Sequence, residues 1–220
     1  MKIAAIIPSG GSSRRFGKNK LFEKINGKTV IEKTLEIFEN NPQISEIIIP
    51  SSPDSIEGID AIIKQRSFLK SKTVPGGSSR QESVYNGLQA CPNCDYVLIH
   101  DGARALVTQL IVNNTINEVQ KRHAVVAAMP VKDTIKKADK EGKITETPER
   151  KYLYQIQTPQ AFRFKDIKKA HELFKGENAT DDSYLIEKMG INVYIVTGCY
   201  KNIKITTPED IELASILAKE

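Results

Sequence analysis

Short, wholly apolar runs alternate with amphipathic ones along this chain. "KIAAII" reads as a strand, and "TVIEKTLEIF" sets Val30, Ile31, Leu35 and Phe38 on one side of a helix. "SEIIIPS" then reads as a buried strand, "IDAIIKQRSFL" as a helix, and "KTVPGG" as a short strand ending in a turn. The alternation continues through the helix "RQESVYNGLQAC", the strand "YVLIHDGAR" running into a loop, the helix "QLIVNNTINEVQKR" and the strand "AVVAAMP". Towards the end, "INVYIVTG" and "NIKITTP" have strand character, and Thr207-Pro208-Glu209-Asp210 opens the closing helix "PEDIELASILAKE". The expected fold class is α/β, with a mostly parallel sheet and helices on both faces.

One stretch breaks the rhythm. "VKDTIKKADKEGKITETPERKYLYQIQTP" holds two short β-prone runs around "DKEGK", a hairpin turn signal. So polar a ribbon has little core of its own, and isolated two-stranded ribbons are marginal in water. The expectation is an arm at about 131–157 that protrudes from a single domain spanning 1–220 and reaches a second subunit of a twofold dimer.

Composition narrows the partners. With 40% hydrophobic and 27% charged residues the chain has the makings of a packed core rather than of disorder. No apolar run approaches the roughly 20 residues that span a bilayer, so no membrane partner is expected. The first strand begins within a few residues of Met1, which leaves no room for a signal or transit peptide; cytoplasm is the expected location. The net charge of +5 points to an anionic partner. Most lysines are dispersed among Glu and Asp on helices, without zinc-finger spacing or an RNP-like aromatic motif, so nucleic acid is not expected either. Three cysteines argue against a disulfide framework, and "CPNC" at Cys91 and Cys94 lacks the extra ligands a zinc site needs.

The remaining cations gather in one loop, "PSGGSSRRFGKNK", directly after the first strand. A Gly-rich turn there offers free backbone N–H groups to a phosphate. It is not a P-loop, because five residues separate Gly11 from Gly17 and Asn19 follows Lys18 where a hydroxyl is required. It is not a dinucleotide fingerprint either, since Gly10 and Gly11 are adjacent. Arg14, Arg15, Lys18 and Lys20 exceed what one phosphate needs and suit a triphosphate that loses pyrophosphate.

Seven segments taken in order resemble one family: "IIPSGGSSRRF…NKLF", "PGGSSRQESVYNGL", "VLIHDGAR", "PVKDTIKKA", "YQIQTPQAF", "ATDDS" and "NIKITTPEDIELA". They look like the 2-C-methyl-D-erythritol 4-phosphate cytidylyltransferases of non-mevalonate isoprenoid precursor synthesis. The resemblance implies a Rossmann-like nucleotidyltransferase fold, with the β-hairpin arm completing a homodimer. It also implies Mg²⁺-dependent transfer of CMP from CTP to a polyol phosphate. Position by position, Arg15 and Lys20 match the catalytic pair on the triphosphate, with Arg150 and Lys204 as further catalytic cations. Ser9, Gly10, Gly11, Ser12 and Ser13 match the loop around base and phosphates, and Gly77 and Ser83 the cytosine and ribose region. Asp101 matches the magnesium-associated aspartate, with Gly102 beside it; Arg104, Thr134, Thr158 and Thr180 fall on the acceptor side.

The sequence departs from the family's pattern at Ser9, usually Ala, at Ser78-Ser79, where Asp-Glu is common, and at Ala105, usually Pro. The first two bear on the base pocket. The chemistry asks for no Ser–His or Cys–His pair, because the acceptor phosphate is itself the nucleophile; His100, His123 and His171 stand in no such motif. Two other readings stay open: a ribitol 5-phosphate cytidylyltransferase, and a nucleotide-binding module without catalysis.

Overall fold

The computed structural model describes residues 1–10, 16–17, 19–91, 94–177 and 179–219. In chain order the elements are β1 (Ile3–Ile6), the small ribbon β2 (Lys24–Ile25) and β3 (Lys28–Thr29), α1 (Val30–Glu39), β4 (Glu46–Ser51), α2 (Pro53–Arg66), β5 (Ser71–Pro75), α3 (Arg80–Ala90), β6 (Tyr96–Ile99), α4 (Gln109–Arg122) and β7 (Ala124–Pro130). There follow β8 (Lys137–Ala138), β9 (Ile144–Glu146), β10 (Tyr154–Arg163), α5 (Phe164–Leu173), α6 (Asp182–Lys188), β11 (Tyr194–Thr197) and α7 (Glu209–Leu217). Seven strands form one sheet in the order β11-β7-β10-β6-β1-β4-β5, parallel everywhere except at β10.

The period-2 alternation of β1 splits its side chains between two apolar layers. Ile3, Ala5 and Ile7 pack with residues of α1, α2, α4 and α7, while Ala4 and Ile6 pack with α3, α5 and α6. Helices therefore cover both faces, as the alternation predicts. Local chemistry starts them. Thr29, Ser79, Thr108 and Asp181 each accept a first-turn N–H through the side chain, and Pro53 opens α2. Gly87 permits the close seating of α3 on the sheet, since a Cβ there would stand 2.7 Å from Ile6 and 2.9 Å from Pro50.

Two sequence expectations are corrected. The segment "NIKITTP" is not a strand. Ile205 N–H reaches Ala103 O at 2.9 Å, while the Asn202 side chain donates to Thr158 O at 2.9 Å, so one backbone bond and one side-chain bond stand in for a ladder. The second correction concerns the end of the expected arm, "YQIQ" at 154–157, which does not belong to it. Tyr154–Arg163 enters the main sheet as β10, pairing Tyr154 with Pro130 and Gln160 with Ile99, and carries Thr158-Pro159 within the strand. Its inner half is buried on both faces, which the polar "YQIQTPQ" hides from any periodicity argument. What protrudes is the β8–β9 ribbon and its flanks, exposed along nearly all of its length. Asp139 Oδ1 accepts N–H bonds from Glu141 and Lys143 in its turn, and Gly142 takes φ +86° there.

Candidate active site

The carboxyl ends of β1, β4, β5 and β6 meet along one edge of the sheet, the usual ligand side of an open α/β fold. Ser9 N–H donates to Pro50 O at 2.7 Å, and Gly76 N–H to Ser51 O at 2.8 Å, so the chains leaving three strands run together. Ser83, in the first turn of α3, accepts Gly77 N–H at 3.0 Å and returns its own proton to Ser79 O. Gly102 lies so close to β1 that a Cβ would stand 2.6 Å from Ser9 Oγ. Ser9, Gly10, Gly77, Ser83 and Gly102 are thereby brought into one neighbourhood. Gly11, Ser12, Ser13 and Arg15, with Arg14 and Lys18, lie outside the described residues. Lys20 opens a single 3-10 turn whose cap, Asn19, accepts from Leu21 N–H and donates to Ser55 on α2 at 2.8 Å.

Asp101, immediately after β6, is the electrostatic centre. Arg80 Nε lies 3.1 Å from Oδ1, while Lys204 Nζ at 3.0 Å and Arg104 Nε at 3.6 Å face Oδ2. Burial would push this carboxyl up, but Arg80, Lys204 and Arg104 overcome it and hold the group well below the usual carboxylate range. Arg80 also places Nη1 2.8 Å from Asp182, whose other oxygen meets His171 Nε2 at 3.1 Å. Burial raises Asp182 too, and again Arg80 and the His171 contact prevail and lower it. Three cations thus face two carboxylates, which leaves an excess positive charge at the mouth of the sheet.

Behind Asp101 stands a buried hydroxyl–imidazole pair. Thr158 Oγ1 accepts Asp101 N–H at 3.0 Å and lies 3.0 Å from His100 Nδ1; His100 Nε2 lies 3.2 Å from Arg104 O. A carbonyl opposite Nε2 requires the proton there, so Nδ1 accepts from the Thr158 hydroxyl. Burial pushes the His100 pKa from 6.5 down to about 4, ahead of the opposing pull of Asp101. Between those values the unfolded chain binds a proton that the folded chain refuses. Stability from this group is therefore complete above 6.5 and falls, by up to about 3 kcal/mol, as pH drops towards 4. Urea titrations across that window check the decline, and His100→Gln is expected to flatten it. An unchanged slope in that variant would assign the acid sensitivity elsewhere.

The family model of 2-C-methyl-D-erythritol 4-phosphate cytidylyltransferase matches residues 3–220. This chain belongs to that family. Curated relatives called 2-C-methyl-D-erythritol 4-phosphate cytidylyltransferase include one from Caldanaerobacter subterraneus, 42% identical over all of both chains, and one from Clostridium perfringens, 43% identical over 99% of each. A crystal structure of 4-diphosphocytidyl-2C-methyl-D-erythritol synthase from Anaerococcus prevotii superposes with a TM-score of 0.90 at 35% identity, covering 100% of this chain and 96% of that one. The expected nucleotidyltransferase fold is what these family structures share with it.

Seen as a family member, the chain places its acceptor-side candidates unevenly. Lys204 reaches Asp101 from an irregular segment, and Arg104 anchors through Nη1 to Asn202 O at 2.8 Å. Thr158 is buried with its hydroxyl committed on both sides, so it holds Asp101 rather than facing a ligand. Thr180 directly precedes Asp181, the cap of α6. Thr134 and Arg150 sit exposed on the arm, Arg150 donating to Lys132 O at 2.8 Å, and neither is among the described residues that contact the Asp101 carboxylate. Sequence reasoning missed Arg80, Asp182 and His171. The signal available was Arg80 itself, a cation in the first turn of the helix after "PGGSS".

Magnesium suits the donor set in one way only. Among the described residues no group of three or more His, Cys, Asp or Glu could cage an ion. Asp101 is an ionised carboxylate whose most exposed partner, Lys204, is the one most readily displaced. One carboxylate with substrate phosphates completing the shell is a common magnesium arrangement.

Proposed function

We infer that this protein transfers the cytidylyl group of CTP to 2-C-methyl-D-erythritol 4-phosphate, releasing pyrophosphate and 4-diphosphocytidyl-2-C-methyl-D-erythritol. The reading rests on a full-length family match whose sheet edge carries Asp101 clasped by Arg80, Arg104 and Lys204. An oxygen of the acceptor phosphate attacks the α-phosphorus of CTP, a new P–O bond forms, and the bond to the β-phosphate oxygen breaks. The obstacle is repulsion between two polyanions, so the work is neutralisation and in-line placement. Arg15 and Lys20 take up charge on the β- and γ-phosphates as pyrophosphate departs. Lys204 serves the α-phosphate as a point charge, and Arg80 and Arg104 hold Asp101 ionised and oriented. Ser9 to Ser13 with Gly77, Ser83 and Gly102 line the nucleotide, while Thr134, Thr180 and Arg104 face the acceptor. Asp101 would hold a magnesium ion, which would supply further charge neutralisation for the phosphates.

A pyrophosphate-release assay across four nucleoside triphosphates and several polyol phosphates tests the assignment. The expected result is turnover with CTP and methylerythritol phosphate. Preference for ribitol 5-phosphate would transfer the chain to the sibling activity, and tight CTP binding without turnover would make it a binding module.

The arm makes the working unit a twofold dimer. Ile135, Ile144, Tyr152, Tyr154 and Ile156 are all exposed on it or at its root, an apolar series for which a second copy is the natural cover. Arg150 then grips the acceptor phosphate of the neighbouring subunit bidentately. Sedimentation at micromolar concentration is expected to show a dimer, and Ile144→Asp to shift it towards monomer with a raised KM for the acceptor. A wild-type monomer with full activity would remove the arm from the mechanism. Among the described residues no helix is long and apolar enough to cross a membrane.

A further inference from the structure

The "CPNC" motif takes no part in the chemistry above, yet the fold brings its sulfurs together. Cys91 Sγ and Cys94 Sγ lie 3.1 Å apart, both as free thiols, at the far end of α3 from Arg80 and Ser83. An approach of about 1 Å would close that contact to the roughly 2.05 Å of a disulfide. Cys91 is buried against the second apolar layer, whereas Cys94 is partly exposed and lines a concavity of about 520 Å³. Lys165 and Arg163, the latter 3.8 Å from Asp166, bring positive charge to this hollow, and Asp95 in its lining accepts Lys2 N–H at 2.7 Å. Met1, Tyr96 and Phe164 supply its apolar wall.

We propose that Cys91 and Cys94 form a reversible dithiol–disulfide site that exchanges with small anionic disulfides seated in this hollow. Cys94 is the entry sulfur because it faces solvent; Cys91, behind it, is the resolving one. The Cys94 thiolate attacks the reagent RS–SR, whose S–S bond breaks; Cys94–S–SR forms and RS⁻ leaves to take a proton from water. Cys91, giving its proton to solvent, then attacks Cys94 Sγ and expels the second RS⁻. Two cysteine thiols are oxidised and one disulfide is reduced to two thiols. The contact favours one thiolate within the pair: the Cys94 S–H bonds to Cys91, which lowers Cys91 ahead of the opposing effect of burial and raises Cys94, so the attacking Cys94 thiolate forms by passing its proton across the 3.1 Å contact to Cys91. Cys199 is the internal comparison, a free thiol partly buried elsewhere in the fold.

Trypsin separates the two classes cleanly, since Gln81–Arg104 contains both motif cysteines and no internal Lys or Arg, while Met189–Lys201 contains Cys199. After incubation of the full chain with oxidised glutathione, Gln81–Arg104 is expected to lose two hydrogens and retain no glutathione, at least about tenfold faster than Cys199 reacts. Dithiothreitol should restore it. Cys91→Ser should instead keep one glutathionyl group on Cys94, because no resolving thiol remains. A lasting glutathione adduct on Cys94 of the unaltered protein, or oxidation of the pair no faster than Cys199, overturns the proposal.

Discussion

Asp101→Asn is expected to lower kcat for pyrophosphate release by about 10²–10³-fold. The amide keeps the shape of the carboxylate but loses the charge that three cations share: Arg80 at 3.1 Å, Lys204 at 3.0 Å and Arg104 at 3.6 Å. It also withdraws the one carboxylate proposed to hold magnesium against the triphosphate. The same change carries a stability cost. Arg104 is largely enclosed, and removing its counter-charge leaves it facing Arg80 and Lys204 across a neutral group. Breaking a buried ion pair costs about 3–5 kcal/mol; here the lower end is expected, because Arg80 keeps Asp182 and Lys204 has water to turn to. The pH dependence has a definite sign. A carboxylate held below its unfolded pKa stabilises the fold above the ordinary carboxylate range, and that contribution is lost as pH falls through the folded value. The variant should therefore start less stable at neutral pH and lose less on acidification. Turnover within a few-fold of the unaltered protein would remove Asp101 from the reaction.

Arg15→Ala and Lys20→Ala should each reduce kcat by about 10² or more with little loss of thermal stability. The reason for separating rate from folding is positional. Lys20 belongs to neither apolar cluster, and the turn that carries it is capped by Asn19 and anchored by buried Leu21. The charge of Arg15 and Lys20 is needed most when negative charge grows on departing pyrophosphate, so kcat should fall more than the affinity for CTP. Equal losses in kcat and in CTP affinity would describe plain ground-state binding instead. Preserved turnover in both variants would empty the loop of its assigned role.

Much of the architecture was readable along the chain because its determinants are local. Wholly apolar runs such as "IAAII" and "EIIIPS", and the helix start Thr207-Pro208-Glu209-Asp210, mark where elements begin. The failures have equally physical causes. β10 reads as a polar ribbon, yet it is buried between β6 and β7 because Gln157 and Gln160 find partners there: Gln157 donates to Cys199 O and Gln160 to Asp181. "NIKIT" has strand alternation but joins no sheet among the described residues; Asn202 and Ile205 fasten it to Thr158 and Ala103 one bond at a time.

The α/β alternation, the helix starts, the hairpin turn and the basic loop after β1 follow from side chains acting on their own few neighbours, and the residues alone specify them. The gathering of Arg80, Arg104 and Lys204 on Asp101, the His171–Asp182 support behind Arg80, the Thr158 hydroxyl beneath the carboxylate and the meeting of Cys91 with Cys94 are of another kind. Most of those groups stand far apart in the chain and come within about 3 Å only once β1 lies between β4 and β6 and β10 has been threaded beside them. Strand order is set by the burial of whole faces against one another, a non-local balance that no short window of residues contains.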